Sequence, residues 1–243
     1  MANAGVATAL RFQPIFPGHE EAGLTLVRNA HEAGVRHISA EYLKLPIESS
    51  HKASAKRINE ALGCNGGALY RAAAARRVGR EFVLPVSYKL PRLLELRRAV
   101  RTAGISFGFG DNELIPYSDG MSCCSGTDLY LRNYRLFDAN CSHLISSKRS
   151  SEPLSFSGFA DAWIPRYPLT PHLNSNVAIK NPTGESDWLQ YLRRDWNGDA
   201  GLYGPKFFYG VNDTGTCDAE GNKIYARSNE LDFLAMPNRV RAA

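Results

Sequence analysis

The sequence predicts a parallel α/β fold, and three observations carry that expectation. Short apolar segments alternate with segments of helical periodicity. Each apolar segment runs into a polar or Pro/Gly loop. The connections between them have the dozen or so residues that a parallel crossover needs. The chain has 243 residues, 44% hydrophobic and 22% charged, enough apolar material for a real core and outside the range of disordered chains.

The elements follow in order. "ATALRFQPIFPG" reads as a strand entering a Pro-Gly loop. "HEEAGLTLVRNAHEAG" has helical spacing, with Leu24, Val27 and Ala30 on one face and Gly34 as its stop. "VRHISAEYLKLP" reads as a buried strand that Pro46 ends. The pattern returns in "GREFVLP", a short apolar stretch. "PRLLELRRAVRTAG" is a helix with Pro91 near its first turn, Leu93, Leu96, Val100 and Ala103 on one face, and Gly104 after its end. "ISFGFGDN" is the next strand, its glycines marking a bend or the close approach of a ligand. Between the two units, "SSHKASAKRINEALGCNGGALYRAAAARRVG" reads as two helices broken at Gly66-Gly67. Beyond residue 116 the chain turns rich in Ser, Asn, Pro and aromatics, with short helical pieces such as "DLYLRNYRLFDAN". The expected division is therefore a parallel α/β core over residues 1–115 and an extension over 116–243.

The net charge is +5. The cations are scattered, as in "RAAAARRVGR", which fits solvated helix faces and lacks the Lys/Arg blocks of a nucleic-acid arm. Nucleic acid or a phosphorylated substrate stays open as an anionic partner. No apolar run approaches the roughly 20 residues that span a bilayer, and the amino-terminal segment has no basic stretch ahead of its apolar residues. No membrane partner and a cytoplasmic location are expected.

In parallel α/β folds, ligands bind at the carboxyl ends of the strands. Polar residues fall there three times: Arg11 and Gln13, Glu41 and Lys44, and Asp111, Asn112 and Glu113. Singly, each could cap a helix or form a salt bridge. Their common position points to a site.

These residues carry a resemblance. "LRFQPIFPG", the helix after it, and "AGVRHISAEYLKLP" resemble the fifth and sixth strand units of radical S-adenosylmethionine enzymes. "FGFGDNELIPYSDGMSCCSGTDL" resembles the closing strand and loop of a branch loosely related to spore photoproduct lyase and DNA-photolyase-like proteins, and "DWNGDAGLYGPKFFYGV" its carboxyl-terminal extension. The resemblance implies the C-terminal half of a partial parallel (β/α) barrel with a helix- and loop-rich extension. It implies S-adenosylmethionine beside Arg11, Gln13 and Glu41, and a [4Fe-4S] cluster that cleaves it to start hydrogen abstraction from a substrate. It places Asp111, Asn112 and Glu113 on the substrate side. The cluster needs C-x3-C-x2-C, and no three of Cys64, Cys123, Cys124, Cys141 and Cys217 have that spacing. The expectation is the carboxyl-terminal portion of such an enzyme, inactive alone: a truncated product, a fragment with a misplaced start, or one part of a split protein whose partner would be the missing amino-terminal half as a separate chain. The alternative is a non-catalytic α/β module that binds a metal or a partner protein.

Adjacent thiols in a polar loop are unusual, since cysteine more often behaves as a small buried hydrophobe. Cys123, Cys124, Cys141 and Cys217 could form an auxiliary iron–sulfur or zinc site, or three of them with His143. Burial as small residues and redox exchange are the other readings. Cys64, at a helix end, reads as structural. Trp163, Trp188 and Trp196 with Tyr167, Tyr203, Phe207 and Phe208 read as core of the extension.

Overall fold

The computed structural model describes residues 5–47, 52–120, 124–130, 141–150, 152–162, 188–198 and 204–229. The chain divides into two compact units, Met1–Asp111 and Asn112–Ala243.

The first unit is mixed α/β. It opens with β1 (Ala9–Ile15), α1 (Glu21–Glu32) and β2 (His37–Tyr42). Gly34, at φ 71°, turns the chain out of α1 in a left-handed conformation that suits glycine. A second small sheet follows, built from β3 (Leu45–Pro46), then α2 (Lys52–Leu62), α3 (Gly66–Ala72), β4 (Arg76–Val78) and β5 (Glu81–Val83). The break between the two helices falls just ahead of the glycine pair. Gly63 takes a positive φ, and the Asn65 side chain accepts from the Ala68 N–H at 2.9 Å and caps α3. The apolar stretch that holds "EFV" does not join the parallel sheet; β5 pairs antiparallel with both β3 and β4. Short connections explain this: β4 and β5 are separated only by Gly79 and Arg80, a hairpin and not a crossover.

α4 (Val86–Thr102) and β6 (Ser106–Phe109) complete the unit. α4 starts five residues before the expected Pro91, after the Pro85 N-cap, and carries Pro91 inside it. Pro91 cannot donate to the carbonyl of Ser87, but its fixed φ is helical, so the first turns form around it. The parallel sheet has the order β1-β2-β6. Its register pairs Leu10 with Ile38 and Ile38 with Phe107, and Phe12 with Ala40 and Ala40 with Phe109. Side chains alternate across a sheet, so these residues share one face. α4 packs against β2, β6 and α1. Gly23 lets α1 approach closely: a Cβ there would lie 2.7 Å from the Phe12 ring and 3.1 Å from Leu96. That approach sets the rotation of α1. Gly23, Val27 and Ala30 are buried, and Leu24, expected on the core face, is 43% exposed.

The second unit holds the short helices α5 (Thr127–Tyr130), α6 (Cys141–Ser147), α7 (Phe156–Ala162) and α8 (Trp188–Asn197), then the hairpin β7 (Val211–Cys217) and β8 (Lys223–Arg227). Its core is aromatic. Trp196 is stacked on Phe159 at 5.8 Å and edge-on to Phe156 and Tyr225. The indole Nε1 donates to the Lys223 carbonyl at 2.8 Å, and the Tyr225 hydroxyl donates to the Trp196 carbonyl at 2.7 Å. Phe208 joins this core and Phe207 packs against it. Trp163, Tyr167 and Tyr203 lie outside the described residues. No helix among the described residues is long and apolar enough to cross a membrane.

Candidate functional site

The face of the parallel sheet opposite Phe12 is polar. Register places Arg11 beside Ser39 and Ser39 beside Gly108, and His37 beside Ser106. At the amino ends of the strands, the Ser106 hydroxyl donates to the Arg36 carbonyl at 2.9 Å. Its single proton is thereby used, so His37 Nδ1, 2.8 Å from Ser106 Oγ, donates to it. That end of the sheet is closed by its own hydrogen bonds.

The carboxyl end differs. Arg11 donates from Nη2 to Gln13 Oε1 at 3.1 Å. Glu41 follows Ser39 by two residues in β2 and so projects on the same face. Its pKa is raised, first by burial and then by repulsion from Asp111, against the opposing pull of Lys44, Arg11 and Lys89. A carboxyl group is thus set among three cations and one carboxylate. Gly110 makes the space for it: a Cβ on residue 110 would lie 2.7 Å from Glu41 Cβ, 3.1 Å from the Ala40 carbonyl oxygen and 3.3 Å from Glu41 Oε2. The glycine is required here by a close approach, and its φ is ordinary. Ser39 adds a second feature. It is 1% exposed, and its Oγ has no hydrogen-bond partner among the described residues. Buried hydroxyls are nearly always paired, so an orphan on this face is a group that lacks its partner.

Asp111 lies beyond the end of β6 and is 2% exposed. Lys89, 1% exposed, donates to Asp111 Oδ1 at 2.7 Å, and the Tyr42 amide donates to Oδ2 at 3.3 Å. A buried pair at this distance persists only because each charge satisfies the other. Tyr70 donates from its hydroxyl to the Leu43 carbonyl at 2.7 Å, and burial with the nearby Asp111 charge pushes its pKa up. Sequence spacing does not single out Lys89, because it predicts a helix that begins at Pro91. With the helix running from Val86, Lys89 stands one turn before Leu93, on the buried face.

Five predicted residues thus belong to one cluster in the first unit: Arg11, Gln13, Glu41, Lys44 and Asp111. Asn112 and Glu113 open the second unit as the start of a 3-10 turn over Asn112–Tyr117, where Asn112 is exposed and the Glu113 carbonyl accepts from the Tyr209 N–H at 2.9 Å. Their placement ties that turn to the second unit's own backbone.

The cysteines are placed as follows. Cys141 is fully buried within the apolar core with Leu144, Ile145, Leu154 and Trp196, and burial pushes its thiol well up, away from the thiolate that metals require. Cys217 is exposed at the end of β7, Cys64 is exposed between α2 and α3, and Cys124 is half-buried. Cys123 lies outside the described residues. Among the described residues, no group of three or more His, Cys, Asp or Glu side chains is arranged to hold a metal ion. His143 sits in α6, one helical step from Ser142 and Leu144.

No family model, no curated protein and no solved structure matches this chain.

Proposed function

We propose that the first unit is the S-adenosylmethionine-binding part of a radical S-adenosylmethionine-type barrel. The observation that carries this reading is the cluster of Arg11, Gln13 and Glu41 on one face of a parallel sheet, at its carboxyl end, beside the orphaned hydroxyl of Ser39. The donor set suits the ligand. S-adenosylmethionine carries a carboxylate, an ammonium group and a ribose diol. Arg11 and Lys44 would take the carboxylate. Glu41 would accept from the ammonium group or the diol, and Ser39 would gain the partner it lacks. Gln13 holds the Arg11 guanidinium in place, and Gly110 keeps the Glu41 side chain where it stands. When bound, the ligand would supply an activated sulfonium centre. The residues of this chain bind and orient it.

The [4Fe-4S] cluster does not fit the residues present. No three cysteines have the required spacing, and the described ones sit in a helix break, a loop, an apolar core and a hairpin. No step is derived through it. An auxiliary iron–sulfur or zinc site would have to form without Cys141 as it stands, in its apolar pocket.

Titration calorimetry of the full chain with S-adenosylmethionine tests the proposal. Binding is expected, with Glu41→Gln and Arg11→Ala each weakening it by about tenfold or more, as loss of a charged hydrogen-bond partner does. Absence of binding, or binding that ignores both substitutions, would sink it. Anaerobic incubation with iron, sulfide and reductant is expected to yield no 5′-deoxyadenosine from this chain.

A further inference from the structure

A second feature of the first unit lies on the other side of the sheet, where α1 meets α4. An open groove of about 390 Å³ runs along this seam. Its floor is apolar and includes Phe12, Leu24 and Leu96. Leu24 is the residue that the close approach at Gly23 turned outward, and at 43% exposure it is a large apolar side chain offered to solvent.

The rim of the groove is acidic. Glu20, Glu21, Glu95 and Arg92 line it. Arg92 is already engaged: its Nε lies 3.5 Å from Glu20 Oε1, and its guanidinium lies 3.8 Å over the Tyr88 ring. Glu20 is built in place. Its Oε1 accepts from the Tyr42 hydroxyl at 2.9 Å and the Tyr88 hydroxyl at 3.1 Å, and Oε2 has no partner among the described residues. Glu21 and Glu95 are exposed and form no ion pair among the described residues. With Arg92 offset by Glu20, the groove carries two uncompensated negative charges, in a chain whose net charge is +5. The amino terminus of α1 accounts for Glu21, since its dipole favours an anion there. It does not account for Glu95, in the middle of α4, or for the carboxylate that two tyrosines hold over an apolar floor.

We propose that this groove docks a basic amphipathic helix of a partner protein. An apolar side chain would seat on Leu24, Phe12 and Leu96, and Lys or Arg heads would meet Glu20, Glu21 and Glu95. The charge sign selects the partner, and the apolar floor supplies the contact area. The site is separate from the polar face of the sheet, and it stands whether or not that face binds S-adenosylmethionine.

The test uses the full chain and a synthetic amphipathic peptide of about 18 residues, leucine on one face and lysine on the other, with a glutamate-for-lysine counterpart. Fluorescence anisotropy is expected to show binding of the lysine peptide alone, weakened by added salt. The charge-reversed double variant Glu21→Lys/Glu95→Lys is expected to lose about tenfold or more in affinity. Both positions are exposed, and circular dichroism checks the fold. Amide shifts on peptide addition should map to Leu24, Thr25 and Leu96. Equal affinity for both peptides, a shift map elsewhere, or indifference to the double variant would overturn the proposal. So would hexylammonium reproducing the shift map while the peptide does not bind, which would assign the groove to a small amine. Self-association in sedimentation that the double variant abolishes would overturn it in favour of a second copy of this chain.

Discussion

Both units bury charged side chains, Lys89, Arg97 and Asp111 in the first and Asp119, Asp195 and Arg227 in the second, but they differ in what occupies their centres. In the second unit the core cluster is aromatic and apolar, and its polar atoms turn to backbone carbonyls: Trp196 Nε1 to Lys223, Tyr225 to Trp196. Each such bond satisfies a donor at small net gain, and the apolar contacts dominate the energetics. In the first unit charges persist at the strand ends: Lys89 and Asp111 are almost wholly buried, and Glu41 stands among Arg11, Lys44 and Asp111. Burying charge is costly, and a hydrophobic replacement of a buried pair is often as stable or more so. In the first unit these charges gather at the carboxyl end of a parallel sheet, where such folds bind ligands, and that placement directs the functional reading there.

The largest expected effects break each unit at its centre. Trp196→Ala should cost about 3–5 kcal/mol, the range for a large aromatic removed from a packed core, as measured by denaturant melts. Lys89→Ala should cost a similar 3–5 kcal/mol or so, because Asp111 keeps its buried charge and loses its counter-ion. The two differ in their repair. Lys89→Met/Asp111→Asn leaves an oxygen for the Tyr42 amide and should recover more than half the loss, whereas nothing but another large aromatic restores position 196. If Lys89→Ala alone costs less than about 1 kcal/mol, the pair is not desolvated and the contrast fails.

A smaller effect is expected at Gly110. Gly110→Ala pushes a methyl group into Glu41 Cβ and should destabilise by about 1–3 kcal/mol, with a matching loss of ligand affinity. The pH dependence of Glu41 sharpens this. Its folded pKa is raised, so the folded state holds the proton more tightly than the unfolded chain. That stabilisation is complete below the ordinary carboxylate range and is lost as pH rises through the raised pKa. Glu41→Gln should flatten this fall in melts taken between about pH 4 and pH 7. Ligand affinity has the opposite sign: a cationic partner requires the ionised form, so binding should strengthen over the same rise. Affinity that falls with pH would mean that Glu41 donates its proton to the ligand.

The smallest effects compare two thiols. Cys141→Ser places a hydroxyl in a fully apolar pocket and should cost about 1–3 kcal/mol. Cys217→Ser, on an exposed strand end, should stay within about 0.5 kcal/mol. If iron or zinc content of the purified protein drops in either variant, that thiol is a ligand and its structural placement is secondary.

Much of this was legible in the sequence. Periodicity and the glycine and proline punctuation located β1, α1, β2, α4 and β6, because those signals are local. The strand-end rule brought Arg11, Gln13, Glu41 and Asp111 together, because parallel strands present all their carboxyl ends on one side. The errors share a cause. Spacing places Leu24 on the core face, and the packing of Gly23 against Phe12 and the distant Leu96 turns it out. The spacing predicts a helix start at Pro91, whereas α4 begins at Val86 and carries Lys89 on its buried face.

What the sequence determined by itself was the order of elements, their approximate ends and the end of the sheet where chemistry collects. Those follow from backbone preferences that act over a few residues. Tertiary structure alone decided that Lys89 neutralises Asp111, that Gly110 clears the space beside Glu41, that Cys141 belongs to an aromatic core, and that Leu24 opens a groove rimmed with carboxylates. Each depends on groups that meet only when distant segments pack, and the energies involved, desolvation above all, are set by what surrounds a side chain and not by its neighbours in the chain.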